Sequence, residues 1–295
     1  MLLGLLAVAA TLSAGVGLTR GAMPVSLTTV AEAPLIWWSG QRITDPGWLV
    51  LTGIRAPRVV LGLVVGASLG VSGAMMQGLF RNPLASPTLI GVANGAALGA
   101  AVAIVGLGHL PTLPLLAFVG AALATLSVLR LGSREGVAHT ASLLLAGIAV
   151  NAICGAGTGL LVYLADESEL RTLTFFTLGS LGGATWGSLK LWVPLALLPV
   201  ALVPWVVQPL DALLLGEAEA RHLGVPVERT KRVLIGLCCV GVGTCVAASG
   251  VIGFVGLAVP HLVRLVGGPR HGVVLPGSAL CGAALLVAAD TLSRV

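Results

Sequence analysis

Charge is what this sequence has least of. Only 9% of its 295 residues are Asp, Glu, Lys or Arg, whereas 57% are hydrophobic and mean hydropathy is +1.04. Soluble domains carry about 25% charged residues, so a soluble fold is excluded. Segments of about ten residues with alternating polarity are missing, which excludes an outer-membrane barrel. What remains is an all-α polytopic membrane protein. No basic run with interleaved aromatics occurs, so the formal charge of +5 does not point to nucleic acid. Basic residues in short loops are usual for membrane topology. The five cysteines, Cys154, Cys238, Cys239, Cys245 and Cys281, lie in apolar runs and form no Cys-x-x-Cys spacing. They read as buried, inert thiols, and no metal site is expected. The chain has no Gly-x-x-x-x-Gly-Lys-Ser/Thr phosphate loop. Paired carboxylates, a His cluster or a Ser/His arrangement at usable spacing are also missing, so no catalytic residue is assigned. An ion-coupled secondary transporter should place acids or His well inside its spans, and none is convincingly there.

Glycine, by contrast, is plentiful at 41 residues, as expected where membrane helices pack closely. Charge-free runs long enough for about 20 helical residues mark the spans. They fall at 1–18, 59–80, 88–107, 115–131, 140–164, 191–207, 233–248, 253–266 and 273–289. The first lacks the basic start of a signal peptide and reads as a span. The eighth is short and interrupted by Gly and Pro. A loop from 19 to 56 carries Pro24, Pro34, Trp37, Trp38, Asp45 and Trp48, with tryptophans suited to the membrane boundary. His109, Pro111 and Pro114 mark a turn. Asp166, Glu167 and Glu169 form an acidic loop, and 175–190 reads as a loop or partial insertion. With the amino terminus inside, the loops 81–87, 130–139 (with Arg130, Arg134, Glu135 and His139), 208–232 and 264–271 lie on the inner side. That gives nine Lys and Arg inside and seven outside, a weak bias in the right direction. Span two with its Asn-Pro loop echoes span seven with the broken segment after it. The two run in opposite directions, a common transporter plan.

The charged island at 208–232 stands out. Leu210, Leu213, Leu214 and Leu223 offer apolar anchors, and Glu217, Glu219, Arg221 and His222 a wet side. Asp211 can cap a first short helix that Gly216 ends. Glu217 and Arg221 then stand four apart in the favourable order for a second, which Gly224 stops with Pro226 just beyond.

Several stretches in series resemble the permease subunits of the iron–siderophore, haem and vitamin B12 ABC importers, the FecCD-type family of type II importers. They are Arg55-Ala-Pro-Arg58, Gly66-Ala67, Ser72-Gly73, Gln77, Arg81-Asn-Pro-Leu-Ala-Ser-Pro87, Leu178-Gly-Ser-Leu181, the Glu217 to Gly224 stretch, and the segments 249–268 and 275–294. The resemblance implies residues 1–295 as one ten-helix permease domain with inverted repeats, spans 2–5 and 7–10. It implies two copies of the chain in the inner membrane, as a homodimer or with a close paralogue. A pair of cytoplasmic ATPase subunits would drive them, and a periplasmic or lipid-anchored binding protein would deliver substrate. No cofactor is implied. The expected cargo is a large iron chelate such as a ferric siderophore, with haem or vitamin B12 as the alternative. Family members carry a tenth span after the position of Arg294, so the resemblance also implies a truncated sequence.

The same resemblance assigns roles by position. Residues 211–224 would couple to the ATPase, through Asp211, Glu217, Ala220, Arg221, Leu223 and Gly224. Arg55, Arg58 and Arg294 would receive glutamates of the binding protein. From the residues alone, snorkelling arginines at the interface are the competing reading. Gly250, Gly253, Gly256 and Pro260 cannot share one regular helix without cost. Together with Met76 and Gln77 they are the pathway or gate candidates, a kinked packing helix and a packed Met75–Met76 pair being the plain alternatives. His261 reads as a structural hydrogen-bonder, Asn82 and Pro83 as a turn cap, and Asp290 as a partner of Arg294.

Overall fold

A computed structural model describes residues 1–21, 23, 25–26, 28–32, 45–108, 110–134 and 137–294. The expectations for Pro24, Pro34, Trp37, Trp38, His109 and Glu135 lie outside these residues. In chain order the helices are α1 (Leu2–Thr19), α2 (Pro46–Phe80), α3 (Val92–Gly106), α4 (Leu113–Gly132), α5 (Thr140–Leu164) and α6 (Glu167–Leu178). They continue as α7 (Trp186–Ala201), α8 (Val203–Leu214), α9 (Glu217–His222), α10 (Val227–Ser249), α11 (Val255–Gly267) and α12 (His271–Leu292). A small antiparallel hairpin, β1 (Ser133–Arg134) and β2 (Val137–Ala138), joins α4 to α5.

Among the described residues six helices are long and apolar enough to cross a membrane, α7 and α8 form one more span bent by 42°, and α3 and α11 are shorter apolar helices. These segments match the nine read from the sequence. Their ends differ for local reasons. Helix α2 starts well before residue 59, because Asp45 accepts from Trp48 N at 3.0 Å and Pro46 begins the first turn. The acidic loop at 166–169 is a capping box: Asp166 and Glu169 bond each other's backbone and start α6. The stretch 175–190 is therefore the end of α6, a short loop and the start of α7, itself capped by Thr185 and Ser188. Span six does not stop at 207. After the bend at Leu202 the chain continues as α8, with Pro204 in its first turn lacking the N–H that would keep the two helices straight. The first short helix expected at Asp211 is thus absent. Asp211 lies in the last turns of α8.

The two halves pack alike. Helix α2 lies against α11 and α12, and α10 lies against α3 and α4, while α2 and α10 touch each other. Both short helices, α3 and α11, follow a break in the chain. Gly91 (φ 81°) precedes one and Phe254 (φ 69°) the other. The breaks meet where Gly256 packs on Pro87. The α2–α12 seam needs glycine. A Cβ on Gly66 would overlap the carbonyl of Gly282, and one on Gly282 the carbonyl of Gly66. Backbones that close are held by van der Waals contact rather than by the hydrophobic effect, which is weak between helices in lipid.

Direct contacts gather the loops at two ends. Arg81 approaches Gly216, the hairpin touches α10, and His271 bonds Asp211. Arg55, Arg58, Trp186, Asp290 and Arg294 gather at the other end. Helix α2 runs from the second end to the first, and α10 starts at the first, so the halves are inverted.

Candidate functional site

At the first end, α9 forms a handle between α8 and α10. It ends in a Schellman motif. Val225 N donates to Ala220 O and Gly224 N to Arg221 O, both at 2.9 Å, with Gly224 at φ 81°. Only a residue free to turn left-handed fits there, so Gly224 stops α9 as its sequence position suggests. Ala220 is fully buried and anchors the helix. Leu223, expected as an anchor, instead points out and is 63% exposed, beside exposed Glu219 and His222. The presented face therefore mixes one large apolar side chain with charge.

Beneath α9 sits an ionic cluster around one buried lysine. Lys231, which the sequence places in the charged island, is almost wholly enclosed. Its Nζ donates to Glu217 Oε2 at 2.8 Å and Ala138 O at 2.6 Å, and lies 3.5 Å from Glu228 Oε1. Arg221 approaches Glu217 at 3.5 Å and Glu228 at 3.4 Å. Two cations thus face two anions. Asp211 caps a different helix from the one expected. Its Oδ1 accepts from the backbone N of His271, the first residue of α12, and contacts His271 Nδ1, each at 2.8 Å. That satisfies one of the orphan donors at a helix start. Asn82 Oδ1 accepts from Leu84 N at 2.9 Å, so this residue shapes its own turn.

The three arginines at the second end do different things. Arg55 is 4% exposed and donates to the carbonyls of Leu18, Thr19 and Met23, closing the end of α1. It is not an open receptor for a glutamate, which corrects the docking expectation for this residue. Arg58 grips Asp290 in bidentate fashion, with Nε at 3.0 Å from both oxygens and a terminal nitrogen at 2.8 Å. Arg294 Nε reaches the same carboxylate at 3.1 Å. Burial lowers the pKa of Arg294, Asp290 opposes the shift and Arg58 adds to it. The guanidinium stays cationic. Two positive groups therefore share one negative group.

Between the ends lies the break after α10. Gly250 (φ 70°) lets the chain turn where a side chain would meet Phe176 O. Val255 N then donates to Gly253 O at 2.8 Å around Phe254, whose φ is 69° and ψ −37°. This is a tight three-residue turn that an aromatic residue adopts only under strain. Phe254 is 75% exposed. A Cβ on Gly256 would sit in contact with Leu69 O and Pro87, while nothing crowds Gly253. Pro260 is buried inside α11. Met75, Met76 and Gln77 are buried too, so Met76 and Gln77 do not line an open path. Gln77 instead bridges α2 and α11, donating to Leu257 O and accepting from Arg264, both at 3.0 Å. His261 is partly exposed on α11. Among the described residues no three His, Cys, Asp or Glu side chains gather as metal ligands would.

The model of the FecCD transport family matches residues 5–295. The chain belongs to the FecCD transport family. It is 43% identical to the hemin transport system permease of Yersinia pestis over 100% of this chain and 87% of that one. To the cobalamin import permease of Halobacterium salinarum it is 41% identical, over 95% of this chain and 75% of the relative. A vitamin B12 import permease of Escherichia coli is 43% identical over 87% and 78%. A solved structure described as an inward-facing conformation of a metal-chelate type ABC transporter superposes with a TM-score of 0.85 at 30% identity, covering 99% of this chain and 90% of that one. This chain is thus a multi-pass membrane permease of a type II ABC importer.

Two residues of this FecCD permease escaped the sequence reading. Lys231 carried no local signal, since it stands among Glu228, Arg229 and Arg232 in one charged stretch. The Asp211–His271 bond joins residues 60 apart. Only the His at the start of a span after a loop hinted at a partner.

Proposed function

We propose that this permease moves a large metal chelate across the inner membrane toward the cytoplasm, driven by separate ATPase subunits that bind α9. One observation carries this reading. The handle and the Arg58–Asp290–Arg294 cluster lie at opposite ends of one bundle, linked by α2 and α12. An exposed apolar side chain among charges suits a protein partner in the cytoplasm, with Leu223 as its centre. A cluster with two cations to one anion suits acidic groups of a binding protein, which it holds through Arg58 and Arg294. Gly250, Phe254 and Gly256 form the bend on which a pathway wall turns. Two copies of the chain complete the path.

Haem is the leading cargo, because a relative matched over the whole of this chain at 43% identity is named for hemin. The test is reconstitution with the ATPase and binding protein in lipid vesicles. Haem, cobalamin and a ferric siderophore are offered in turn. Uptake of haem alone supports the proposal; uptake of cobalamin alone replaces the cargo. Replacing 217–224 should release the ATPase on purification. An ATPase that stays bound would remove the handle from the mechanism.

A further inference from the structure

We propose that Lys231 is a positioning residue through which α9 holds the β1–β2 hairpin and the first turn of α5, so that movement of α9 reaches α5. The inference rests on α9 being the ATPase contact. An ammonium has three donors. Here they meet three elements: Glu217 of α9, Glu228 of α10 and the carbonyl of Ala138 in β2. Glu228 Oε2 also accepts from Ala138 N at 2.8 Å, so both backbone groups of Ala138 are tied to this cluster. The next residue, His139, is the N-cap of α5.

The hairpin has two residues per strand. Such a pair has no stability of its own and takes its position from what it is bonded to. Helix α5 packs on α3 and α4, and among the described residues Ala138 of the hairpin ties its start to α9 and α10. Burying an ammonium is unfavourable unless every donor is used, and a well-packed apolar side chain would serve stability as well or better. A lysine here instead fixes geometry. If α9 shifts with Glu217, the ammonium either follows, taking Ala138 with it, or loses a bond inside the protein.

The assembled importer, permease with ATPase and binding protein in vesicles, tests this with K231M, which keeps the length of the stem and removes the charge. Molecules moved per ATP hydrolysed should fall about tenfold, within the ordinary range of coupling between sites. A purely structural lysine would lower transport and hydrolysis together, and an unchanged ratio overturns the proposal. The unaltered importer supplies a second measurement that does not depend on the variant folding. Amide hydrogen exchange is compared between the nucleotide-free and vanadate-trapped states. Exchange should change at residues 137–143 together with 217–224. A change confined to 217–224 overturns the link while leaving α9 as the ATPase contact. An ATPase that survives replacement of 217–224 overturns the contact itself.

Discussion

At the handle end Lys231 and Arg221 face Glu217 and Glu228, cation for anion, with Lys231 enclosed. At the other end Arg58 and Arg294 share Asp290, with side chains 22% and 14% exposed. One cluster is balanced in charge and the other carries a surplus cation, although apart from Lys231 the balanced cluster is the more exposed, with Arg221 at 51%. A balanced cluster gains little from an incoming charge, so its bonds hold its own elements in register. A cluster with a surplus guanidinium still has donors to offer. That difference in charge balance supports the docking proposed for Arg58 and Arg294.

Removing Asp290 should have the largest effect. D290A leaves two guanidiniums together without their anion, and the loss should approach about 3 kcal/mol, as for breaking a buried pair. Thermal unfolding in lipid nanodiscs measures it. A loss under about 1 kcal/mol, the value of an exposed pair, would show that water screens this cluster despite its burial. Next in size is the response to salt. Association of the binding protein should slow about tenfold from low to high salt, as expected of a positive rim that steers its partner. Stopped-flow mixing follows this, and ATPase association at the neutral handle should respond less. Equal slopes would erase the contrast between the ends. D211A removes the cap of α12 and should lower stability by about 1 kcal/mol, read in the same unfolding assay. The smallest change in stability is expected for L223A, within about 0.5 kcal/mol because the side chain is exposed. ATPase affinity, by titration, should still fall. An unaltered affinity would move the docking face off Leu223.

Features set by neighbouring residues were legible in the sequence. The stop at Gly224 needs only a left-handed residue after α9, and the break at Gly250 needs only a glycine after Ser249. The spans followed from the lack of charge. Features set by distant partners were not legible. Nothing in Glu-Arg-Thr-Lys-Arg distinguishes Lys231 from its exposed neighbours until β2 brings Ala138 to it. Arg55 and Arg58 are three residues apart and looked alike. The first meets the frayed carbonyls at the end of α1, and the second meets an aspartate 232 residues further on. Asp211 was read as a cap, and it is one, but for a helix 60 residues away.

The glycine seam between α2 and α12 has a mechanical consequence. Side chains at a helix interface can change rotamer and let one helix slide past its neighbour. At Gly66 and Gly282 there is nothing to rotate, because the main chains themselves interlock. The two helices therefore travel as a single strut. Its foot is fastened at Asp211 and its head carries Asp290. Between the two membrane surfaces this strut is held by backbone contact rather than by side chains.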